Sequence, residues 1–252
     1  MIRAEGLRRS FGGVVAVDDV SFRVDEGEVV GFLGPNGAGK TSTIRMLLGL
    51  LRPSAGSVAV DGPVGYLPES FAGYDALSVR SYLRFFCRLR GLDAADEITP
   101  ALDAADLTDL ARRPIGRLSK GQRQRVGIAQ AIMGTPSSLV LDEPTIGLDP
   151  AQVVDARAVL RRAADDGAAV LVSTHLLAEA AATCDRIIVI VDGAVVAEER
   201  PGSGSELEER FLRLVGRAQL GEDVSGAGGP TDDGTDIARS TDSGAEQPEE
   251  SS

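Results

Sequence analysis

Residues 29–41 read Val-Val-Gly-Phe-Leu-Gly-Pro-Asn-Gly-Ala-Gly-Lys-Thr, and this stretch decides the fold. Its apolar first part, Val29–Leu33, is typical of a strand that is buried on both faces. The second part fits G-x-x-x-x-G-K-[ST], in which glycines let backbone N–H groups and a helix N-terminus converge on phosphate oxygens. The sequence therefore predicts a loop for a nucleoside triphosphate, with Lys40 at the β- and γ-phosphates and Thr41 at Mg²⁺. The residues assigned to nucleotide binding here are Gly34, Pro35, Asn36, Gly37, Ala38, Gly39, Lys40, Thr41 and Ser42.

Two further apolar runs lead into polar side chains. Leu139–Leu141 is followed by Asp142 and Glu143, and Ala169–Val172 leads to His175, the only histidine of the chain. Asp142 is placed to hold Mg²⁺ through water, and Glu143 to polarise an attacking water. Alone, the two carboxylates would be a helix cap and a surface charge as readily as a catalytic pair; beside a phosphate-binding loop we predict that they are catalytic. We expect His175 to contact the γ-phosphate or the attacking water.

Stretches of helical periodicity between these runs predict an α/β fold, with a mostly parallel sheet covered by helices. One such stretch is Ile44, Leu47, Leu48 and Leu51. Ligands bind beyond the carboxyl ends of the strands in open sheets of this kind. Later in the chain, Arg186–Glu198 is predicted to form two short strands joined by a tight turn at Asp192-Gly193. A capping-box pattern then predicts a terminal helix, on the residues Ser205, Leu207, Glu208, Phe211, Leu214 and Ala218.

The composition of the chain limits which partners it can bind and in which cellular compartment we expect it. The 252 residues include 26 basic and 38 acidic side chains, with seven Phe, three Tyr and no Trp. Such a charge balance repels a phosphate backbone, and few rings are available for base stacking, so we expect no nucleic-acid partner. Cys87 and Cys184 have neither zinc-site spacing nor disulfide density, and are predicted to be buried apolar residues. No run is long enough for a membrane span and no signal peptide is recognisable, which predicts a cytoplasmic protein.

The end of the chain differs in composition from the rest. Residues 221–252 contain nine acidic residues and one basic residue, Arg239. Because they lack aromatics and are rich in Gly, Ser, Thr and Asp, they cannot bury enough apolar surface to offset ordering entropy. We therefore expect a folded domain over residues 1–220 and a disordered acidic tail over 221–252, either a solvating appendage or a docking segment.

A further motif narrows the choice among the families that have such a phosphate-binding loop. Leu118-Ser119-Lys120-Gly121-Gln122 opens a predicted helix that ends before Gly134 and Pro136; by itself it is simply a Ser cap at a helix start. Together with the motifs above it resembles the L-S-G-G-Q signature of the ABC ATPases. The resemblance runs from Ile2 to Val215. It includes an aromatic residue for adenine at Phe11, the segment Tyr66–Glu69, and a loop that crosses to the other subunit at Gly147–Pro150.

The resemblance implies a P-loop ATPase of the ABC type, with a small antiparallel sheet and a helical subdomain at about residues 75–135. It implies a head-to-tail dimer that encloses two ATP molecules, each held between the phosphate loop of one subunit and the signature helix of the other. Ser119, Gly121 and Gln122 would then bind nucleotide, and Ser119, Gly121 and Asp149 would lie at the dimer interface. The metal site would comprise Thr41, Glu69 and Asp142, and the catalytic residues Lys40, Glu143 and His175.

Some residues depart from the family pattern. Glu69 stands where a metal-sensing Gln is usual, which keeps an acceptor for metal-bound water but adds negative charge. Lys120 replaces a Gly, and either strengthens γ-phosphate binding or faces solvent. Between Asp61-Gly62 and Gly65-Tyr66 the chain is shorter than is usual, a departure that bears on whether the small antiparallel sheet forms.

The chain has one cassette, no heptad run and no appended regulatory domain, which favours the ATP-hydrolysing subunit of an exporter. Such a subunit pairs with a second copy and with a separately encoded permease, and lies on the inner face of the cell membrane. The helix predicted over Ser78–Leu92 carries Arg80, Arg84 and Arg88 on one face, which either is solvated or borders the groove for the permease. The alternatives are a non-transport ABC ATPase acting as a soluble mechanochemical module, and a nucleotide-dependent scaffold that never hydrolyses.

Overall fold

A computed structural model describes residues 1–201 together with residues 209, 211–213 and 216. The strands are β1 Ile2–Phe11, β2 Val14–Val24, β3 Val29–Leu33, β4 Ala55–Val60, β5 Val64–Leu67, β6 Ser138–Asp142, β7 Ala169–Thr174, β8 Arg186–Val191 and β9 Ala194–Glu199. The helices are α1 Lys40–Leu47, α2 Val79–Arg90, α3 Ala94–Ala104, α4 Lys120–Ile132, α5 Pro150–Asp165 and α6 Leu177–Thr183. Two short 3₁₀ turns, Thr108–Leu110 and Ile115–Arg117, lie between α3 and α4.

The larger sheet has six strands in the order β5-β6-β7-β3-β8-β9. All neighbouring pairs are parallel except β8 with β9. Every residue of β3, β6 and β7 is buried, because helices cover both faces of the sheet. The three strands predicted from apolar runs are thus confirmed, and they are adjacent, so their carboxyl ends meet at one edge.

The predicted hairpin is also confirmed. β8 and β9 pair in antiparallel register, and Val191 faces Ala194 across the turn. Both turn residues have positive φ, 47° at Asp192 and 84° at Gly193, as a two-residue turn between twisted strands requires. The backbone of Gly193 then contacts the phosphate-binding loop, because its N–H donates to the carbonyl of Ala38 at 3.1 Å.

A second, antiparallel sheet has the strand order β2-β1-β4. Ile2 pairs with both Val24 and Val60, which sets the register of the three strands. The short segment between Gly62 and Gly65 does not prevent this sheet, since β4 has ended at Val60 and β5 of the other sheet begins at Val64. The two sheets share one apolar cluster, in which the rings of Phe22 and Phe32 lie 5.3 Å apart.

Helices α2, α3 and α4 share an apolar cluster of their own, made of buried side chains between Val79 and Met133. Ser78 caps α2 by accepting from the N–H of Ser81, and Gly91 ends the helix in the left-handed conformation. The helix predicted over Ser78–Leu92 is therefore confirmed. The division of the chain into a domain over 1–220, with a helical part at 75–135, stays a prediction.

The remaining predictions concern the C-terminal part of the chain, the two cysteines and membrane-spanning segments. The terminal helix residues Ser205, Leu207, Glu208, Leu214 and Ala218 lie outside the described residues, as does the segment 221–252; Phe211 packs against the large-sheet core. Cys87 and Cys184 are free and buried, as predicted. In the described part of the chain, no helix is both long and apolar enough to cross a bilayer.

Candidate functional site

The phosphate-binding loop joins β3 to α1, and its last glycine explains why the loop has this sequence. Gly39 has φ of 99°, and a Cβ at this position would lie 2.5 Å from the carbonyl oxygen of Ala16. Only glycine satisfies both conditions without displacing β2. Helix α1 begins at the next residue, Lys40, with no side-chain cap. The first N–H groups of α1 therefore have no side-chain cap, and their predicted contact with phosphate stays a prediction.

Lys40 is held inside its own loop. Its Nζ donates to the carbonyl oxygens of Gly34 at 2.6 Å and Pro35 at 3.2 Å, and the residue is only 7% exposed. Burial lowers the pKa of Lys40, and the carboxylates of Glu143, Asp142 and Glu69 oppose that shift. The ammonium group is therefore poorly solvated and gains from any anion that enters the loop.

Asp142 lies opposite Thr41 at the end of β6. The Thr41 Oγ1 donates to the Asp142 Oδ2 at 3.1 Å, and the other Asp142 oxygen accepts from the hydroxyl of Ser173 on β7. A hydroxyl and a carboxylate that face one cavity suit Mg²⁺, which favours oxygen ligands and keeps waters and substrate phosphates in its coordination shell. Within residues 1–201 and the few described beyond them, no group of three or more His, Cys, Asp or Glu could hold a metal by itself. A metal at Asp142 would therefore depend on water and phosphate oxygens.

Glu143 is strained and closely surrounded. It is 6% exposed and has φ of 52°, which is rare for a non-glycine residue and costs about 1–3 kcal/mol. Its N–H donates to the Ser173 carbonyl at 3.1 Å. Its carboxylate lies 2.9 Å from the Nδ1 of His175 and 4.0 Å from the Nζ of Lys40. Strain of this kind persists only where the surroundings enforce it, which is typical of functional sites.

His175 therefore contacts the carboxylate of Glu143. An ionised carboxylate only accepts hydrogen bonds, so the Nδ1 of His175 donates in this contact. The side chain of His175 is 40% exposed, and its second ring nitrogen is Nε2. The predicted contact with the γ-phosphate or the attacking water stays a prediction for this second nitrogen.

These groups line one cavity of about 350 Å³. Its walls are Ala16, Pro35, Asn36, Gly37, Ala38, Gly39, Lys40, Thr41, Ser42, Glu69, Asp142 and Glu143. Glu69, on the bend after β5, thus faces the same space as Thr41 and Asp142. Phe11 is not part of this lining; it ends β1, is 46% exposed, and has the Arg9 guanidinium 4.9 Å from its ring centroid. Its predicted contact with adenine stays a prediction.

The signature segment lies outside that cavity. Ser119 caps α4 through its Oγ, which accepts from the N–H of Gln122, and the Gln122 side chain accepts from the N–H of Ser119. Gly121 packs closely on the next loop, since a Cβ there would lie 2.6 Å from the carbonyl of Gly147. Asp149 caps α5 by accepting from the N–H of Gln152 at 3.0 Å. In this single chain, Ser119, Gly121 and Asp149 are therefore structural caps and packing residues, and none of them is part of the lining of the Lys40 cavity.

Two residues in the site were missed by the sequence reasoning. Ser173 bonds both Asp142 and Glu143, and Gln124 donates from its Nε2 to the carbonyl of Glu143 at 3.1 Å. Both are buried polar side chains, with exposures of 0% and 3%. The available signal was a polar residue in an apolar setting: Gln124 lies one helical turn before the buried Ile128 in α4, and Ser173 directly follows the run Ala169–Val172.

A larger cavity, of about 670 Å³, lies elsewhere, between α3, the end of α4 and α5. Its lining includes Glu97, Asp103, Asp155 and Arg162, and it contains none of the predicted site residues. The chemistry of the lining, rather than its size, therefore marks the Lys40 cavity as the functional one.

The family model described as ABC transporter matches residues 17–146, more than half of the chain. The chain belongs to the ABC transporter family. This ABC cassette is 38% identical over 211 residues to the ABC transporter ATP-binding protein YdbJ of Bacillus subtilis, covering 79% of this chain and 68% of the relative. It is also 38% identical to the Nod factor export ATP-binding protein I of Burkholderia lata, covering 80% of this chain and 71% of that protein.

Solved structures agree with the cassette fold. One, titled as the ATP-binding subunit of an ABC transporter, has a TM-score of 0.77 at 28% identity and covers 84% of this chain and 99% of its own. A dimeric bacterial ABC transporter cassette has a TM-score of 0.75 at 25% identity, covering 81% of this chain and 100% of its own. A related dimeric structure, in a post-hydrolysis state with ADP and Pi, has a TM-score of 0.72 at 26% identity, covering 81% and 100%. The present chain is thus an ATP-binding cassette of the ATPase type.

Proposed function

We propose that this cassette hydrolyses ATP within a head-to-tail dimer of two copies and drives export through a separate membrane permease. The observation that carries the proposal is the convergence of Lys40, Thr41, Asp142 and Glu143 on one cavity at the ends of adjacent strands. Such a cavity joins groups that hold phosphates to a carboxylate that activates water. The signature residues Ser119 and Gly121 lie outside it, so this site is incomplete without a second chain.

The chain's own groups divide the work in hydrolysis. The N–H groups of the phosphate loop and the Lys40 ammonium bind the β- and γ-phosphates of ATP, and in doing so Lys40 exchanges loop carbonyls for a charged partner. Glu143 accepts the proton of the attacking water, and His175 donates to its carboxylate and fixes its direction. Thr41, Asp142 and Glu69 would hold Mg²⁺, which supplies neutralisation of the charge that develops on the phosphate oxygens.

The dimer is proposed because the signature residues of each chain lie outside its own phosphate-binding cavity. Ser119, held at the start of α4, keeps its hydroxyl hydrogen free while its Oγ accepts from Gln122. That hydrogen, the first N–H groups of α4 and the helix dipole suit the γ-phosphate of an ATP bound to another copy. Asp149 would lie at the same interface. The dimeric form of the bacterial cassette, whose fold this chain shares, supports the arrangement.

Two features support a membrane partner and export. Tyr74, Phe85 and Phe86 form part of an aromatic cluster around α2, where Tyr74 is 57% and Phe85 37% exposed. Arg84 and Arg88 are exposed on the same helix. Exposed aromatics beside arginines suit a cytoplasmic helix of a permease. The likeness to Nod factor export proteins favours export over import. The cassette would then lie on the cytoplasmic face of the membrane, held there by the permease.

The experiment has two parts. The purified chain should hydrolyse ATP with Mg²⁺, and Lys40→Ala should abolish this activity; an inactive wild-type chain would contradict the ATPase role.

In the source cell, the chain should fractionate with membranes and with one multi-span protein, and Arg84→Glu should release it. Arg162→Glu, on the exposed side of α5, is the matched control. Membrane association that survives Arg84→Glu, with coupled transport intact, would contradict docking at α2.

A further inference from the structure

The backbone of Glu143 is held from three sides. Its N–H donates to Ser173 on β7, and its carbonyl accepts from the N–H of Ile146 at 3.3 Å, which closes a tight turn. The same carbonyl accepts a second hydrogen bond from the Nε2 of Gln124 at 3.1 Å. Of these three partners, Gln124 alone lies outside the large sheet and the turn that follows Glu143, in helix α4.

The side chain of Gln124 contacts Glu143 rather than solvent. The side chain is 3% exposed, and its hydrogen bond to Glu143 is buried. A buried hydrogen bond to a backbone carbonyl is strong in the low dielectric of the interior, and its loss leaves the carbonyl less satisfied. Because Glu143 has φ of 52°, it does not hold this conformation by intrinsic preference. The contact from Gln124 is therefore one of the forces that maintain the direction of the Glu143 side chain.

Helix α4 begins with Ser119, the residue proposed to bind the ATP of the other copy. Its first turn also packs on the loop that follows Glu143, since Gly121 approaches the Gly147 carbonyl closely. A small shift of α4 would thus act on Glu143 twice, through the Gln124 hydrogen bond and through the loop at Gly147. The helix proposed to meet one nucleotide is thus hydrogen-bonded to the backbone carbonyl of Glu143, the residue that carries the catalytic carboxylate of its own chain's site.

We propose that Gln124 is a positioning residue for Glu143, which makes the direction of the catalytic carboxylate depend on the position of the signature helix α4. This inference rests on the proposed ATPase function and assigns a role to a residue outside the nucleotide-binding motifs. Gln124 does not reach the nucleotide; it acts through the carbonyl of Glu143. Loss of its hydrogen bond should therefore slow hydrolysis while ATP binding at Lys40 stays intact.

The test uses two variants of Gln124 and one matched control in the full chain. Gln124→Met keeps an unbranched side chain of similar length but removes the donor. We expect kcat for ATP hydrolysis to fall about tenfold or more, with KM and the Kd of ATP within about twofold of wild type, because misplacement of a catalytic group affects the chemical step. Gln130→Met is the control: Gln130 lies on the same helix but bonds the hydroxyl of Tyr82 at 2.6 Å. It should leave kcat within about twofold of wild type.

Gln124→Glu gives a readout that a structural role alone would not produce. The ionised carboxylate has no donor and repels the Glu143 carbonyl, whereas the protonated carboxyl donates to it. The ratio of its kcat to that of wild type should therefore rise as the pH is lowered, and the ratio for Gln124→Met should stay flat. The titratable and charged groups that line the pockets at position 124 and at Glu143, or contact Glu143, are Lys40, Glu69, Lys120, Arg123, Asp142 and His175. All three proteins share them, so the ratio removes the pH dependence that these groups cause in the wild-type chain.

The possible outcomes separate this inference from the proposed function. If wild type and Gln130→Met hydrolyse ATP and Gln124→Met does so at the wild-type kcat, Gln124 does not position Glu143. The same conclusion follows if two results are found together. First, Gln124→Met changes both KM and kcat and lowers the melting temperature; second, the kcat of Gln124→Glu relative to wild type does not depend on pH. If wild type and Gln130→Met are both inactive, the proposed ATPase function itself has failed.

Discussion

The ends of strands β3, β6 and β7 and the start of helix α4 are the two parts of the molecule that carry phosphate-binding chemistry, and they are built differently. At the strand ends, Lys40, Thr41, Asp142 and Glu143 are connected by hydrogen bonds or short charge contacts within one cavity. At the start of α4, the side chain of Ser119 is bonded to Gln122 in a capping box, and the residue is exposed. In the proposed function the first region binds ATP and Mg²⁺ within one chain, whereas the second meets a nucleotide only on another chain.

In the proposed dimer, this difference would explain how ATP controls association. The strand-end region of each chain would bind nucleotide, and the γ-phosphate contacts from Ser119 would form only when two chains meet. Only the triphosphate offers those contacts, so we expect ATP to favour the closed dimer and hydrolysis to remove the preference. The buried hydrogen bond from Gln124 to the Glu143 carbonyl is one of the contacts that join helix α4 to the strand-end region within one chain.

The largest effect is expected in the strand-end region. Glu143→Gln keeps the shape of the side chain but removes the proton acceptor, so the rate of hydrolysis should fall about 10²- to 10⁴-fold with ATP binding retained. Steady-state ATPase rates and equilibrium binding of ATP measure the two quantities. Glu26→Gln is the control, because Glu26 is a highly exposed carboxylate far from the cavity. Near-normal turnover in Glu143→Gln would refute its role as general base.

A second prediction separates the capping role of Ser119 from its role at the partner's nucleotide. Asp caps a helix as well as Ser does, so Ser119→Asp should keep the melting temperature. The added charge would face the γ-phosphate across the interface, so ATPase activity should fall about 10²-fold, as when a stabilising donor is lost from a transition state.

Ser78→Asp is the matched control for that prediction, since Ser78 caps α2 in the same way. It should leave both the melting temperature and the ATPase rate close to wild type. Equal activity of the Ser119 and Ser78 variants would show that Ser119 is only a cap.

A smaller effect is expected at Lys120. Its aliphatic stem packs on Gly147, and the residue is exposed at the start of α4, next to Ser119. If its ammonium attracts the partner's ATP, Lys120→Gln should raise the ATP concentration for half-maximal rate about threefold, and added salt should shrink the difference. Lys120→Arg keeps the charge and should behave as wild type. An unchanged half-maximal concentration in Lys120→Gln would mean that this lysine only faces solvent.

The smallest effect is expected at the two thiols, one in each part of the fold. Burial raises the pKa of Cys87 and raises that of Cys184 to about 12. Both thiols should therefore stay unreactive towards a thiol reagent at pH 8 in the native protein and react fully in denaturant. Rapid labelling of Cys87 alone would show that the helical part opens independently of the sheet.

The sequence predicted the strand-end region well because each of its parts is a local pattern. The loop at Gly34–Thr41, the apolar runs and the turn at Asp192-Gly193 are each determined by neighbouring residues, and parallel pairing then brings their ends together. It could not predict that His175 bonds Glu143, or that Glu143 has a positive φ, because both depend on packing between β6, β7 and α4. Gln124 was missed for the same reason: the role of a polar residue on a buried helix face depends on what that face contacts.

The central claim is that ATP is bound jointly by two copies of this chain, and sedimentation of the Glu143→Gln variant tests it most directly. With Mg²⁺ and ATP, this variant should sediment as a species of twice the mass of one chain. With ADP, or with the added change Ser119→Asp, it should sediment as a single chain. A Glu143→Gln variant that binds Mg²⁺ and ATP yet remains a single chain at all accessible concentrations, also with the permease present, would contradict the account.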